Sequence, residues 1–107
     1  MKKTETTTEK PNATFTKFAR GENWVKGTVG QYNFEAKLFD EGSAFGIKKG
    51  RVSKLAIWDD KVRFAKQDFF AACVVNYDRG WDIKPSKENE PFFNSVMELL
   101  ENAPKLF

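Results

Sequence analysis

From Trp24 onward, apolar and polar residues alternate along the chain with a period of two. The stretch WVKGTVGQYNFEAKLF reads as two strands joined at Gly30 and Gln31, where glycine supplies the positive φ of a two-residue hairpin loop. Tyr32, Phe34, Ala36 and Leu38 then share one face, with Asn33, Glu35 and Lys37 on the other, the pattern of a half-buried strand. The glycines and short polar residues of DEGSAFGIKKG interrupt pairing and predict a loop, with Phe45 and Ile47 anchoring it to the core. Arg51 to Trp58 is a third strand, with Ser53, Leu55 and Ile57 inward and Val52, Lys54, Ala56 and Trp58 on the other face.

After a turn signal at Asp59, Asp60 and Lys61, the stretch VRF can continue as a short strand. AKQD breaks the pattern, and FFAACVVNY has the β-branched and aromatic content of a central strand. Near the C-terminus the period changes. Pro91 suits the first position of a helix capped by Asn89 or Glu90, and Phe92, Phe93, Val96, Met97, Leu99 and Leu100 recur at helical spacing until Asn102 and Pro104 stop it. Residues 1–20, rich in Thr, Lys and Glu, offer little to bury beyond Phe15 and Phe18. They read as a disordered or loosely held arm, either a solvated tail or a basic arm reaching a partner with Lys17 and Arg20. The expected fold is α+β: a small antiparallel sheet of four or five strands with one C-terminal helix packed on one face, residues 21–107 forming a single β-rich domain.

Composition narrows the chemistry. A chain of 107 residues with 40% hydrophobic and 15% aromatic residues has material for one core and no second domain. The absence of histidine removes the commonest general base near neutral pH and the commonest transition-metal ligand. The single cysteine, Cys73, sits in an apolar stretch and reads as a small buried hydrophobe. No cofactor, metal site or enzymatic activity is expected. The N-terminus has no apolar segment behind its basic start, and no apolar run approaches the ~18 to 20 residues of a membrane span, so a cytoplasmic protein is expected. Lys and Arg exceed Asp and Glu by 18 to 15, a net charge of +3, which favours polyanions only weakly.

Three groups of residues invite a functional reading. IKKGRVSK gathers Lys48, Lys49, Arg51 and Lys54, either a nucleic-acid patch or a lysine-protected sheet edge. The acidic pairs Asp40 and Glu41, Asp59 and Asp60, and Asp78 and Asp82 have no spacing that gathers a metal ion, and the first two lie in loops where Asp is favoured for turn hydrogen bonding. In NYDRGWD, Tyr77, Arg79 and Trp81 are residue types enriched at interface hot spots. The same residues also suit a capped strand end in which Trp81 covers the core and Arg79 pairs with Asp82 or Asp78 and stacks on Trp81.

WVKGTV, FEAKLFDEGSAFGI, GRVSKLAIW and YDRGWD followed by Pro85 together resemble a family of small proteins, a domain of unknown function met in bacteriophages and Gram-positive bacteria. The resemblance runs from Trp24 to about Leu100, with RFAKQDFFAAC as an insertion or lengthened hairpin. It implies a single β-rich domain and a phage or mobile-element accessory role, and transfers no functional residue. The expectation is a non-catalytic interaction module presenting Tyr77, Arg79 and Trp81, with Trp24 or Trp58 beside them, to a protein partner. The alternative is nucleic-acid binding by Lys48, Lys49, Arg51 and Lys54.

Overall fold

Each strand turns back on its predecessor, and the result is a six-stranded antiparallel meander in chain order. The structure, a computed structural model, describes residues 10–19 and 21–105. The strands are β1 (Ala13–Ala19), β2 (Trp24–Val29), β3 (Tyr32–Leu38), β4 (Val52–Trp58), β5 (Cys73–Asp78) and β6 (Trp81–Ile83). Two short helices, α1 (Asp60–Lys66) and α2 (Phe69–Ala72), lie between β4 and β5, and α3 (Glu90–Glu101) closes the chain. The α+β class holds, with six strands rather than four or five.

The β2–β3 hairpin follows the sequence pattern closely. Gly30 takes φ +58° at the turn, and Phe34, Ala36 and Leu38 are buried on the face that alternation assigns them. Gly27 serves a different purpose. It lies opposite Phe34 in the ladder, and a side chain there would collide with the Phe34 ring and the Thr14 carbonyl. The main core sits between this face and α3, where Val25, Val29, Phe34, Leu55, Ile57 and Val75 meet Phe93, Val96 and Leu100. Val52 also belongs to this core, contrary to expectation, because the register shifts beside it between Lys37 and Leu38. Asn89 stands at the N-cap of α3 with Pro91 in its first turn, and the Tyr32 hydroxyl donates to Asn89 Oδ1 at 3.3 Å, tying the helix start to β3.

Two other expectations are corrected. Ala13–Ala19, assigned to the loose arm, is β1 and pairs with β2, with Phe15 packed edge-on against Phe34; residues 1–9 and 20 of the expected arm lie outside the described residues. The segment read as a turn, a short strand and the start of a strand is instead α1 and α2. Asp59 caps α1 by accepting from the Lys61 N–H at 2.9 Å, and Asp68 caps α2 by accepting from Phe70 and Ala71 N–H. A second cluster of Trp58, Ala72 and Cys73, packed with Val62 and Phe69, forms under these helices on the opposite sheet face.

Burial pushes the Cys73 thiol above its ordinary value of 9.0, against the lowering effect of Asn76, whose Nδ2 lies 3.8 Å from Sγ. Burial likewise raises Tyr32 above 10.0, reinforced by Asp59 and Glu88. Both groups favour their neutral forms in the fold, so their contribution is complete below these ordinary values and is lost as pH rises through the folded ones. Iodoacetamide at pH 8 is therefore expected to alkylate native Cys73 far more slowly than the urea-unfolded chain, as read by intact mass. Equal rates would contradict the burial of this thiol.

Candidate interaction rim

Antiparallel order brings one set of connections to the same end of the sheet: residues 21–23, the long loop 39–51 and the turn at 79–80. The residues singled out in NYDRGWD separate there. Tyr77 pairs with Leu55 across the ladder and so faces the core, 8% exposed, with its hydroxyl donating to the Phe45 carbonyl at 2.8 Å. Trp81 packs edge-on against Tyr77, with ring centroids 5.0 Å apart, and tilts against Phe93 at 5.6 Å, yet stays 37% exposed. It both covers the core and reaches the surface.

Arg79 is exposed. It adopts φ +57° in the β5–β6 turn, where its N–H donates to the Ser53 carbonyl at 2.9 Å. Its guanidinium pairs with Asp78 at 3.1 Å, which also lies 3.7 Å from Lys54. Asp82 and the face of Trp81, the other expected partners, are not among its contacts in the described residues. Of the two further tryptophans, Trp24 is half-buried at this end on the face away from α3, whereas Trp58 is buried at the other end and donates to Asp60 at 2.8 Å.

The four basic residues of IKKGRVSK do not form one patch. Arg51 turns to the end of α3 and donates to the carbonyls of Leu100, Glu101 and Ala103 at 3.4, 3.1 and 2.6 Å, while its Nε donates to the Phe39 carbonyl at 2.8 Å. Lys48 and Lys49 are exposed in a 3-10 turn with φ +53° and +61°. Lys54 points to the sheet face away from α3, 6.0 Å from the centre of the Trp24 ring. The acidic pair Asp59 and Asp60 is likewise occupied: Asp59 caps α1, and Asp60 accepts from Trp58 and from Asn33 Nδ2 at 2.8 Å. Among the described residues, no group of three or more Cys, Asp or Glu is placed to hold a metal ion.

Two aromatics complete the rim. Phe45, expected to anchor the loop in the core, is 62% exposed; its carbonyl is pinned by Tyr77 while its ring stands outward. Phe39 is 38% exposed with the Lys37 ammonium 5.8 Å from its ring centre. Phe39, Phe45 and Arg79 line a cleft of about 660 Å³ together with Lys37, Lys54 and Asp40. Phe39 had a signal, since it follows the inward Leu38 and alternation turns it outward. Phe45 had none in period, only its setting among Gly and Ser.

A family described as Domain of unknown function (DUF7678) matches residues 23–101. No curated protein and no solved structure matches the chain.

Proposed function

The chain belongs to the DUF7678 domain family, and from that premise we propose that it is a non-catalytic module that binds a protein partner through the rim of Phe39, Phe45, Arg79 and Trp81. Exposed Phe45 carries the reading. A large ring held outward on a backbone that Tyr77 fixes loses little conformational freedom on binding, as an anchor residue requires. Arg79 lines the same cleft, and Trp81, packed on Tyr77, stands at the same end on the core-facing side; both are enriched types at such sites. Lys37, Lys54 and Arg79 line the cleft against Asp40 and Glu41, so the complementary segment offers apolar side chains with carboxylates around them. Tyr77 supports the rim from within rather than touching the partner. The resemblance to phage and Gram-positive bacterial proteins adds an accessory or inhibitor role inside the cell to the proposal. Among the described residues no helix is long and apolar enough to cross a membrane.

The test places a photo-crosslinking side chain at Phe45 and, for comparison, at Phe64, a still more exposed ring on α1 at the other end of the sheet. A protein trapped from position 45 and not from 64 is then purified and titrated. Phe45→Ser and Arg79→Ala are each expected to weaken its binding about tenfold or more, with melting unchanged. Indistinguishable crosslinks from the two positions, or full affinity in both variants, would remove the rim from consideration.

A further inference from the structure

The sheet face turned away from α3 carries a second pattern, independent of the rim aromatics. Strand register sets its outward residues in rows across the sheet. One row runs Trp24, Lys37, Lys54, Asp78; the next runs Lys17, Lys26, Glu35, Ala56, Asn76, Ile83. The helices α1 and α2 cover only the far end, over Trp58 and Cys73. The rest of the face lies open, its residues half-buried by their neighbours or exposed.

We propose that this open face binds a single-stranded nucleic acid. Lys17, Lys26, Lys37 and Lys54 lie on four successive strands and so span about 14 Å at a strand spacing of ~4.8 Å, a basic track across the sheet. Arg63 extends it from α1, its guanidinium 5.1 Å from the Phe69 ring and 6.0 Å from that of Trp58. On the open part of the face three carboxylates, Glu22, Glu35 and Asp78, stand against the four lysines, Asp78 being shared between Arg79 and Lys54, whereas Asp60 and Asp68 lie at the end covered by α1 and α2. Aromatic plates stand within the track. Trp24 holds the ammonium groups of Lys37 and Lys54 5.9 and 6.0 Å from its ring centre, two cations that can move to phosphates as a base takes their place on the indole.

Beside Trp24 the small side chain of Ala56 leaves a trough of about 260 Å³, also lined by Glu35, Asn76 and Phe69. Its size admits one nucleobase. The Asn76 carboxamide, held among the described residues only by the long contact to Cys73, and the Glu35 carboxylate flank the trough as donor and acceptor for a base edge. Glu35 favours a nucleic acid over an acidic peptide, because exocyclic amino groups complement it while carboxylates do not. A single strand fits better than a duplex, since only an unstacked base can lie on Trp24 over an open sheet.

The test is fluorescence anisotropy with labelled single strands of mixed sequence, one of DNA and one of RNA, beside a duplex and an excess of polyglutamate as competitor. Binding of at least one single strand is expected, with log K falling against log salt at a slope of about −2 to −3 for three to four phosphates. Lys37→Glu with Lys54→Glu is expected to lower affinity at least tenfold and flatten that slope. Trp24→Ala is expected to lower affinity with the slope unchanged, and Trp24→Phe to restore part of it. The double variant Lys48→Glu with Lys49→Glu, off this face, is expected to do much less; all variants are compared at equal melting temperature. The proposal is overturned if neither single strand binds at low salt, if the duplex binds as tightly, if polyglutamate displaces the strand at equal charge, or if the Lys48 and Lys49 variant loses as much as the sheet-face one. Lys37 and Lys54 also line the rim cleft, so the crosslink from Phe45, which none of these variants touches, is the readout that separates the two readings.

Discussion

Replacing Gly27 by alanine is expected to destabilise the domain by about 3 kcal/mol, the upper part of the range for overfilling a packed core. The sign runs against intuition, because alanine ordinarily stabilises a strand relative to glycine. Gly27 occupies an inward position of β2 between Val25 and Val29, and the ring of Phe34 lies across the space a methyl would fill. On the other side stands the Thr14 carbonyl, part of the β1 backbone, which cannot step aside without loosening the first strand. Urea titration should show a lower midpoint at unchanged slope, and melting should fall by roughly 4 °C or more per kcal/mol. The cause can be isolated. Phe34→Leu removes the colliding ring and costs stability alone, but combined with Gly27→Ala it is expected to cost clearly less than the sum of the two. Additive costs, or a neutral Gly27→Ala, would show that the ring does not close the space above Gly27.

The neighbouring strand β3 shows why so much of the centre was legible. Tyr32 to Leu38 alternates without interruption, with a hairpin glycine before it, so period, turn and burial agree. Where the sequence misled, the missing signal has a physical cause. α1 buries no residue fully, so it has no apolar stripe to detect, and α2 buries only Ala72; both are held by caps from Asp59 and Asp68 rather than by periodicity. β1 alternates at Ala13 and Phe15, but an irregularity between Phe15 and Lys17 breaks the period, and β6 is three residues long. At the rim, Tyr77 and Phe45 exchanged their expected roles. Val75 and Tyr77 sit two apart on β5 and share the core face, which alternation from the apolar run could have told. The hydrogen bond from Tyr77 holds the Phe45 backbone to the core while its ring stands outside, a long-range contact that no local pattern encodes.

Arg51 poses the sharpest choice between a surface charge and a structural one, and stability decides it. A phosphate-binding arginine could be removed with little effect on folding. Here the guanidinium closes on the last turn of α3, where the final carbonyls have no partner within the helix and the dipole favours a cation. Its own backbone N–H donates to Glu101 Oε2 at 2.8 Å, and Nε reaches the Phe39 carbonyl, so one residue joins the helix end, the start of β4 and the loop after β3. Arg51→Ala is expected to cost about 3 kcal/mol, as charge-assisted hydrogen bonds are lost and the carbonyls of Glu101 and Ala103 lose the guanidinium donor. Arg51→Lys keeps the charge but not the planar fork, and should recover only part of the loss. Amide exchange should quicken first at Leu100 to Ala103, because the helix end opens before the sheet does. Full stability in Arg51→Ala would return this arginine to the surface, whereas a lysine as good as arginine would mean that charge near the helix end, not the multidentate grip, holds α3 on the sheet.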